Sequence, residues 1–205
     1  MRNVALALMS SLSISSLTAE AQSTRSATKG FFAGLGLHGS AIEIEDLDDE
    51  RESGGGATLK LGYGFTRLFA LYVEGSAASL STDNDEEWTL AHFDLGARFS
   101  LGGPTSAVVP YLLAGLSGRA GTREDVLLQG STSPQDLEIS GGGLTAGAGI
   151  LIFFHPAWAF DADLKFTAGE FSTIKYGNVS VDGLEIDATS TRFNIGVSWH
   201  PGGRR

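Results

Sequence analysis

WAFDADLKFTAG, residues 158–169, holds two different surfaces in one stretch. Every second residue gives Trp158, Phe160, Ala162, Leu164, Phe166 and Ala168, and those between are Ala159, Asp161, Asp163, Lys165, Thr167 and Gly169. A β-strand sends successive side chains to opposite faces, so here one face suits oil and the other carries two carboxylates and an ammonium. The fold depends on whether the oil lies inside the protein or around it.

The same alternation recurs along the chain, and no helix-period pattern persists for three turns. It predicts eight strands, near 31–42, 56–64, 67–79, 89–101, 108–119, 140–154, 157–170 and 189–200. Phe193, Ile195, Val197 and Trp199 oppose Arg192, Asn194, Gly196 and Ser198. Phe93, Leu95, Ala97 and Phe99 likewise oppose His92, Asp94, Gly96 and Arg98. Segment 108–119 cannot be given a face on this pattern, and 140–154 is apolar on both sides. The connections alternate in length. Gly64–Thr66, Gly102–Ser106 and His155-Pro156 are short; Glu43–Gly55, Ser81–Trp88, Gly121–Ile139 and Ser172–Ala188 are long and acidic. Antiparallel neighbours then gather the short turns at one end and the long loops at the other, as in an outer-membrane barrel.

Orientation follows from which residues are small. The polar face is rich in glycine: Gly34, Gly36, Gly62, Gly96, Gly147, Gly149 and Gly196. Small residues suit a narrow lumen, where eight strands leave just enough room for side chains. The apolar face mixes large and aromatic groups with no size matching, which suits lipid. Aromatics near strand ends (Phe31, Tyr63, Phe65, Phe99, Phe154, Trp158, Trp199) fit interfacial girdles, mostly at the short-turn end. The expected fold is an all-β, eight-stranded antiparallel up-and-down transmembrane β-barrel with its oil outside.

Composition agrees. The chain of 205 residues has 28 Gly, no Cys and a net charge of −10. It has no material for a disulfide or thiolate metal site, and its charge disfavours nucleic acid as a partner. Residues 1–22 read as a secretory signal, with Arg2 at the start and Ala19-Glu20-Ala21 at the cleavage site. The expected division is a signal peptide over 1–21, a periplasmic segment over 22–30, the barrel over 31–200 and a tail over 201–205.

Parity places Lys60, Glu74, Asp94, Arg98, Asp161, Asp163, Lys165 and Arg192 in the lumen, with His38 and His92 nearby. Four acids thus face four permanent bases. Buried charges need partners, so a plug of Lys60/Glu74/Arg98 and Asp161/Asp163/Arg192 clusters is expected. A narrow ion path is the alternative. The first two long loops carry a surface cluster of acids: Glu43, Glu45, Asp46, Asp48, Asp49, Glu50, Glu52, Asp83, Asp85, Glu86 and Glu87. Residues 81–87 lack the order and internal Gly of a calcium-binding EF-hand loop, so no metal or cofactor is expected. His38 and Ser40 are the one His/Ser pair close in sequence. Lipid A deacylase barrels present such a pair to lipid, whereas these fall on the lumen face, so no enzyme is expected. His155 and His200, each before a Pro, read as turn residues.

Leu61-Gly62-Tyr63-Gly64-Phe65 leading into Leu71-Tyr72-Val73-Glu74-Gly75 resembles the second hairpin of the small outer-membrane β-barrel proteins, of the OmpA transmembrane domain and OmpX type. Pro110–Leu116 is similar to their fifth strand. The resemblance implies a monomeric barrel in the bacterial outer membrane, in contact with lipopolysaccharide and inserted by the barrel assembly machinery, which reads the last strand. Asn194–Trp199 fits that signal, although Pro201 stands where a second aromatic is usual. The expected role is structural or through the surface loops. A small-solute channel and a lipid A-modifying enzyme are the alternatives.

Overall fold

The computed structural model describes residues 27–44, 52–81, 87–103, 106–126 and 133–204. Among them, eight strands run in chain order: β1 (Gly30–Ile44), β2 (Glu52–Gly64), β3 (Phe69–Ser81), β4 (Glu87–Ser100), β5 (Val108–Val126), β6 (Gln135–His155), β7 (Trp158–Tyr176) and β8 (Val179–Trp199). Each pairs antiparallel with the next, and β8 returns to β1, so the sheet closes into a barrel without edges through its middle. The signal-peptide span 1–21 lies outside the described residues.

The alternation sorts side chains as a lipid-embedded barrel requires. Large apolar groups stand on the outer surface, with Leu37 69% and Leu144 68% exposed, while Asp94 and Lys165 are fully buried. So extensive an exposed apolar belt has no place in water. Outer rings touch around the short-turn end: Phe31 and Trp158 each lie 6.4 Å from Trp199, and Phe69 lies 5.5 Å from Phe99. The strand left unassigned on sequence resolves in the same way. Tyr111, Leu113, Ser117 and Arg119 of β5 point inward, and Leu112 and Leu116 outward.

The strands are longer than the 9–11 residues that span a bilayer core. β1–β4 have 13 to 15 residues and β5–β8 have 19 to 21. The expected long loops 121–139 and 172–188 are therefore largely strand. Val-Ser-Val-Asp and Leu-Glu-Ile continue the period of two beyond the lipid band, and their backbones continue the ladder. Tyr176 pairs with Val179 across a two-residue turn, Gly177-Asn178. Gly177 has φ +54°, a conformation this tight turn needs and larger side chains resist. One half of the barrel thus rises above the other at the loop end.

The lumen is layered, as β3 shows by itself. Ala70 and Tyr72 join an apolar cluster toward the short turns, Glu74 and Ser76 occupy the middle, and Ala78 and Leu80 join a second apolar cluster toward the loops. Three inward rings lie against glycines directly across the ladder: Phe32 on Gly62, Tyr72 on Gly96 and Tyr111 on Gly149. A Cβ at any of these glycines would collide with the ring. Glycine here makes the volume that lets a ring lie flat along a narrow interior.

Candidate functional site: the charged lumen

Ladder register puts like charges side by side at two places. Glu74 of β3 is directly opposite Asp94 of β4, and Lys165 of β7 is directly opposite Arg192 of β8. Either pair alone would repel. Closing the sheet brings the acidic pair and the basic pair face to face across the lumen. Arg192 Nη2 lies 2.8 Å from Asp94 Oδ2, and Lys165 Nζ contacts Glu74 Oε1 directly and lies 3.8 Å from Asp94. All four side chains are essentially inaccessible to water. Arg192 also donates to Ser76 and Thr167 at 3.3 Å.

A second group adjoins this quartet. Lys60 of β2 lies 2.8 Å from Asp163, 3.3 Å from Asp161 and 3.4 Å from Glu74. Tyr111 donates its hydroxyl proton to Asp161, and Asn194 donates to Asp163 at 2.6 Å. Thr58 donates to Asn194 at 3.0 Å and also meets His38 Nδ1. Desolvated ions held this way are stabilised by both partners and hydrogen bonds. A void of about 20 Å³ beside Lys60, Asp161 and Asp163 has room for one water.

All eight residues expected in the lumen are buried there. Their grouping differs from the expectation. Arg192 belongs with Asp94 and Glu74 rather than with Asp161 and Asp163, because β8 faces β3 and β4 from the opposite wall of the barrel, whereas Lys60 reaches the β7 aspartates. Among the described residues, Arg98 pairs with no carboxylate. Its guanidinium sits 4.0 Å from the Phe32 ring centroid and 5.6 Å from that of Tyr111, with no hydrogen-bond partner. Arg119 is a further buried base that the pattern missed. It donates to the Ala188 carbonyl at 3.0 Å and lies over Phe171. Extending β5 through Ser117 to Arg119 in parity would have found it.

His200 is not a turn residue. It seals the short-turn end of the lumen, with its ring 5.5 Å from Phe32 and 5.2 Å from Phe153. His38 and Ser40 are both enclosed. Of the acidic surface residues, Glu43 is exposed on β1 and Glu52 opens β2. Glu45, Asp46, Asp48, Asp49, Glu50, Asp83, Asp85 and Glu86 lie outside the described residues, as does the Glu87 side chain.

A family model, the outer membrane protein beta-barrel domain, matches residues 4–200. The chain belongs to that family. It is a bacterial outer-membrane protein, and its apolar belt faces lipid. Solved barrels share the fold. Neisserial surface protein A (NspA) superposes with a TM-score of 0.64 at 18% identity, over 84% of this chain and 97% of that one. OprG from Pseudomonas aeruginosa gives 0.56 at 14%, over 86% and 97%. Ail, the attachment invasion locus protein of Yersinia pestis, gives 0.53 at 16%, over 83% and 98%. No curated protein matches this barrel in sequence.

Proposed function

We propose that this barrel is a closed, non-catalytic protein that acts through the membrane it reinforces and the surface its loops present. The observation that carries this reading is the quartet Glu74, Asp94, Lys165 and Arg192, which bridges opposite walls at mid-lumen. An ion crossing there would have to part desolvated pairs, at a cost of several kcal/mol. His200, Phe32 and Phe153 close the short-turn end beneath it. His38 and Ser40 lie inside the wall, out of reach of a lipid substrate. The contacts such a protein makes are with outer-membrane lipid and lipopolysaccharide around the belt. During insertion, its last strand, Asn194–Trp199, is read by the barrel assembly machinery. It works as a monomer.

Planar-bilayer recording of the purified protein tests the closed state. Baseline current without stepwise openings is expected. Sustained single-channel conductance would replace this reading with that of a narrow ion path.

A further inference from the structure

Above the ionic layer the lumen changes character. Ser76, His92, Thr145, Thr167 and Ser190 form a polar belt, with His92 Nε2 3.1 Å from Ser190 Oγ and Thr145 Oγ1 2.7 Å from Thr167 Oγ1. Beyond that belt the inward parity positions turn apolar. Ile42, Leu80 and Leu90 on the short half face Ile139, Phe171 and Ile186 on the tall half, with Trp88 beside them. The two walls pack into one cluster yet leave a space between them. This is a partly enclosed cavity of about 310 Å³, lined among the described residues by aliphatic and aromatic side chains and Glu52, with the Arg123 guanidinium 5.9 Å from the Trp88 ring centroid.

We infer that this outer chamber is a binding site for a small uncharged aliphatic or monoaromatic molecule. Size is the first argument. The volume lies at the lower end of the range for ligand pockets and has room for about ten methylene-sized groups. An apolar cavity of about half that size already takes up a benzene-sized guest, because water gains too few hydrogen bonds to fill it. Chemistry is the second argument. Apart from Glu52, the described lining residues are apolar, so transfer of apolar surface from water drives entry.

Charge in the connections at this end of the barrel selects further. The β1–β2 connection leaves the wall after Ile44 and re-enters at Glu52, beside the chamber, and carries Glu45, Asp46, Asp48, Asp49 and Glu50 against Arg51. The β3–β4 connection, which re-enters beside Trp88, adds Asp83, Asp85 and Glu86. So many carboxylates at one end repel anionic amphiphiles such as fatty acids. Its lining residues Ile42, Leu80, Leu90 and Phe171 are buried inside the barrel wall, which sets the chamber apart from the acyl chains of the surrounding bilayer. The site does not require the lumen beneath it to be closed, so conductance and binding stand or fall separately.

Trp88 lines the chamber, whereas Trp158 and Trp199 stand on the outer girdle. A Trp158→Phe/Trp199→Phe protein in lipid nanodiscs therefore reports on the chamber alone. Titration with 1-bromohexane should quench Trp88 saturably. Octan-1-ol should reverse the quenching, and octanoate should need at least tenfold higher concentration to do so. Filling the chamber with Ile139→Phe, or making it polar with Ile174→Gln, should each weaken the apparent affinity at least tenfold, with heat-modifiable gel mobility reporting that both variants are folded. Quenching that rises linearly without saturation, or that is unchanged in both folded variants, would overturn the site. Competition by octanoate as good as that by octanol would overturn the selection for uncharged ligands. Efficient quenching of Trp88 by phospholipids brominated on their acyl chains would place it in the bilayer and likewise overturn the proposal.

Discussion

Glu74 and Asp94 stand directly opposite each other on β3 and β4, both buried, with like charge. This arrangement is stable only because closure of the sheet carries Lys165 and Arg192, themselves neighbours, to the facing wall. Two repulsions on neighbouring strands become four attractions across the lumen. The charged layer is therefore a consequence of closure, and it ties the two halves of the barrel together.

Removing one member leaves a buried ion without its partner. Arg192→Met should destabilise the barrel by about 3–5 kcal/mol, read from urea unfolding in lipid vesicles. Asp94→Leu/Arg192→Met, which removes both charges, should recover a large part of that loss. Arg98 gives the contrast, since it touches rings rather than carboxylates. Arg98→Met should cost less than about 1.5 kcal/mol, as for a volume-conserving exchange. Equal losses from the two arginine substitutions would contradict the assignment of partners.

The ring-on-glycine contacts make a steric prediction. A Cβ at Gly96 would lie 2.8 Å from both the Tyr72 ring and the Ala114 carbonyl, whereas one at Gly75, on the lipid side, meets nothing within 4 Å. Gly96→Ala should cost about 1–3 kcal/mol through overpacking. Gly75→Ala should fold as the parent does, and its unfolding midpoint is the control.

On the outer surface, charge is the sensitive variable. Phe166 is 52% exposed in the middle of the β7 lipid face. Phe166→Arg should destabilise by about 2–4 kcal/mol in a bilayer, the cost of a guanidinium near the midplane. Phe154→Arg, beside the short turn to β7, should cost about 0–1 kcal/mol because its head reaches the interface. The difference between the two, measured in the same vesicles, tests depth rather than hydrophobicity in general.

How much of this was legible in the sequence depends on what parity can report. Strict alternation in 158–169 and 189–200 shows those strands, their faces and four of the lumen charges, and the same parity in 56–64, 67–79 and 89–101 places the other four, because a slip of one residue would put every charge into lipid. β5 was opaque because Leu112-Leu113-Ala114 is apolar on both faces; Tyr111 and Leu113 face the apolar lower lumen, where inside and outside look alike. In sequence the tall half reads as loop because its outward residues are no longer uniformly apolar once the strands leave the membrane. Pairings across the lumen were out of reach, since they depend on the stagger of the closed sheet, which no single strand encodes. His200, before Pro201, has the sequence signature of a turn for a related reason. Its partners Phe32 and Phe153 are brought to it only when β8 meets β1.

Because the chain contains no cysteine, single cysteines can carry a nitroxide probe at each position from Ala162 to Thr167 in reconstituted vesicles. Collision rates with oxygen, which concentrates in acyl chains, should peak at Leu164 and Phe166 and fall at Asp163, Lys165 and Thr167. A collision pattern of opposite phase, or equal accessibility to a water-soluble nickel complex at Leu164 and Phe166, would contradict an apolar surface turned to lipid around a charged interior.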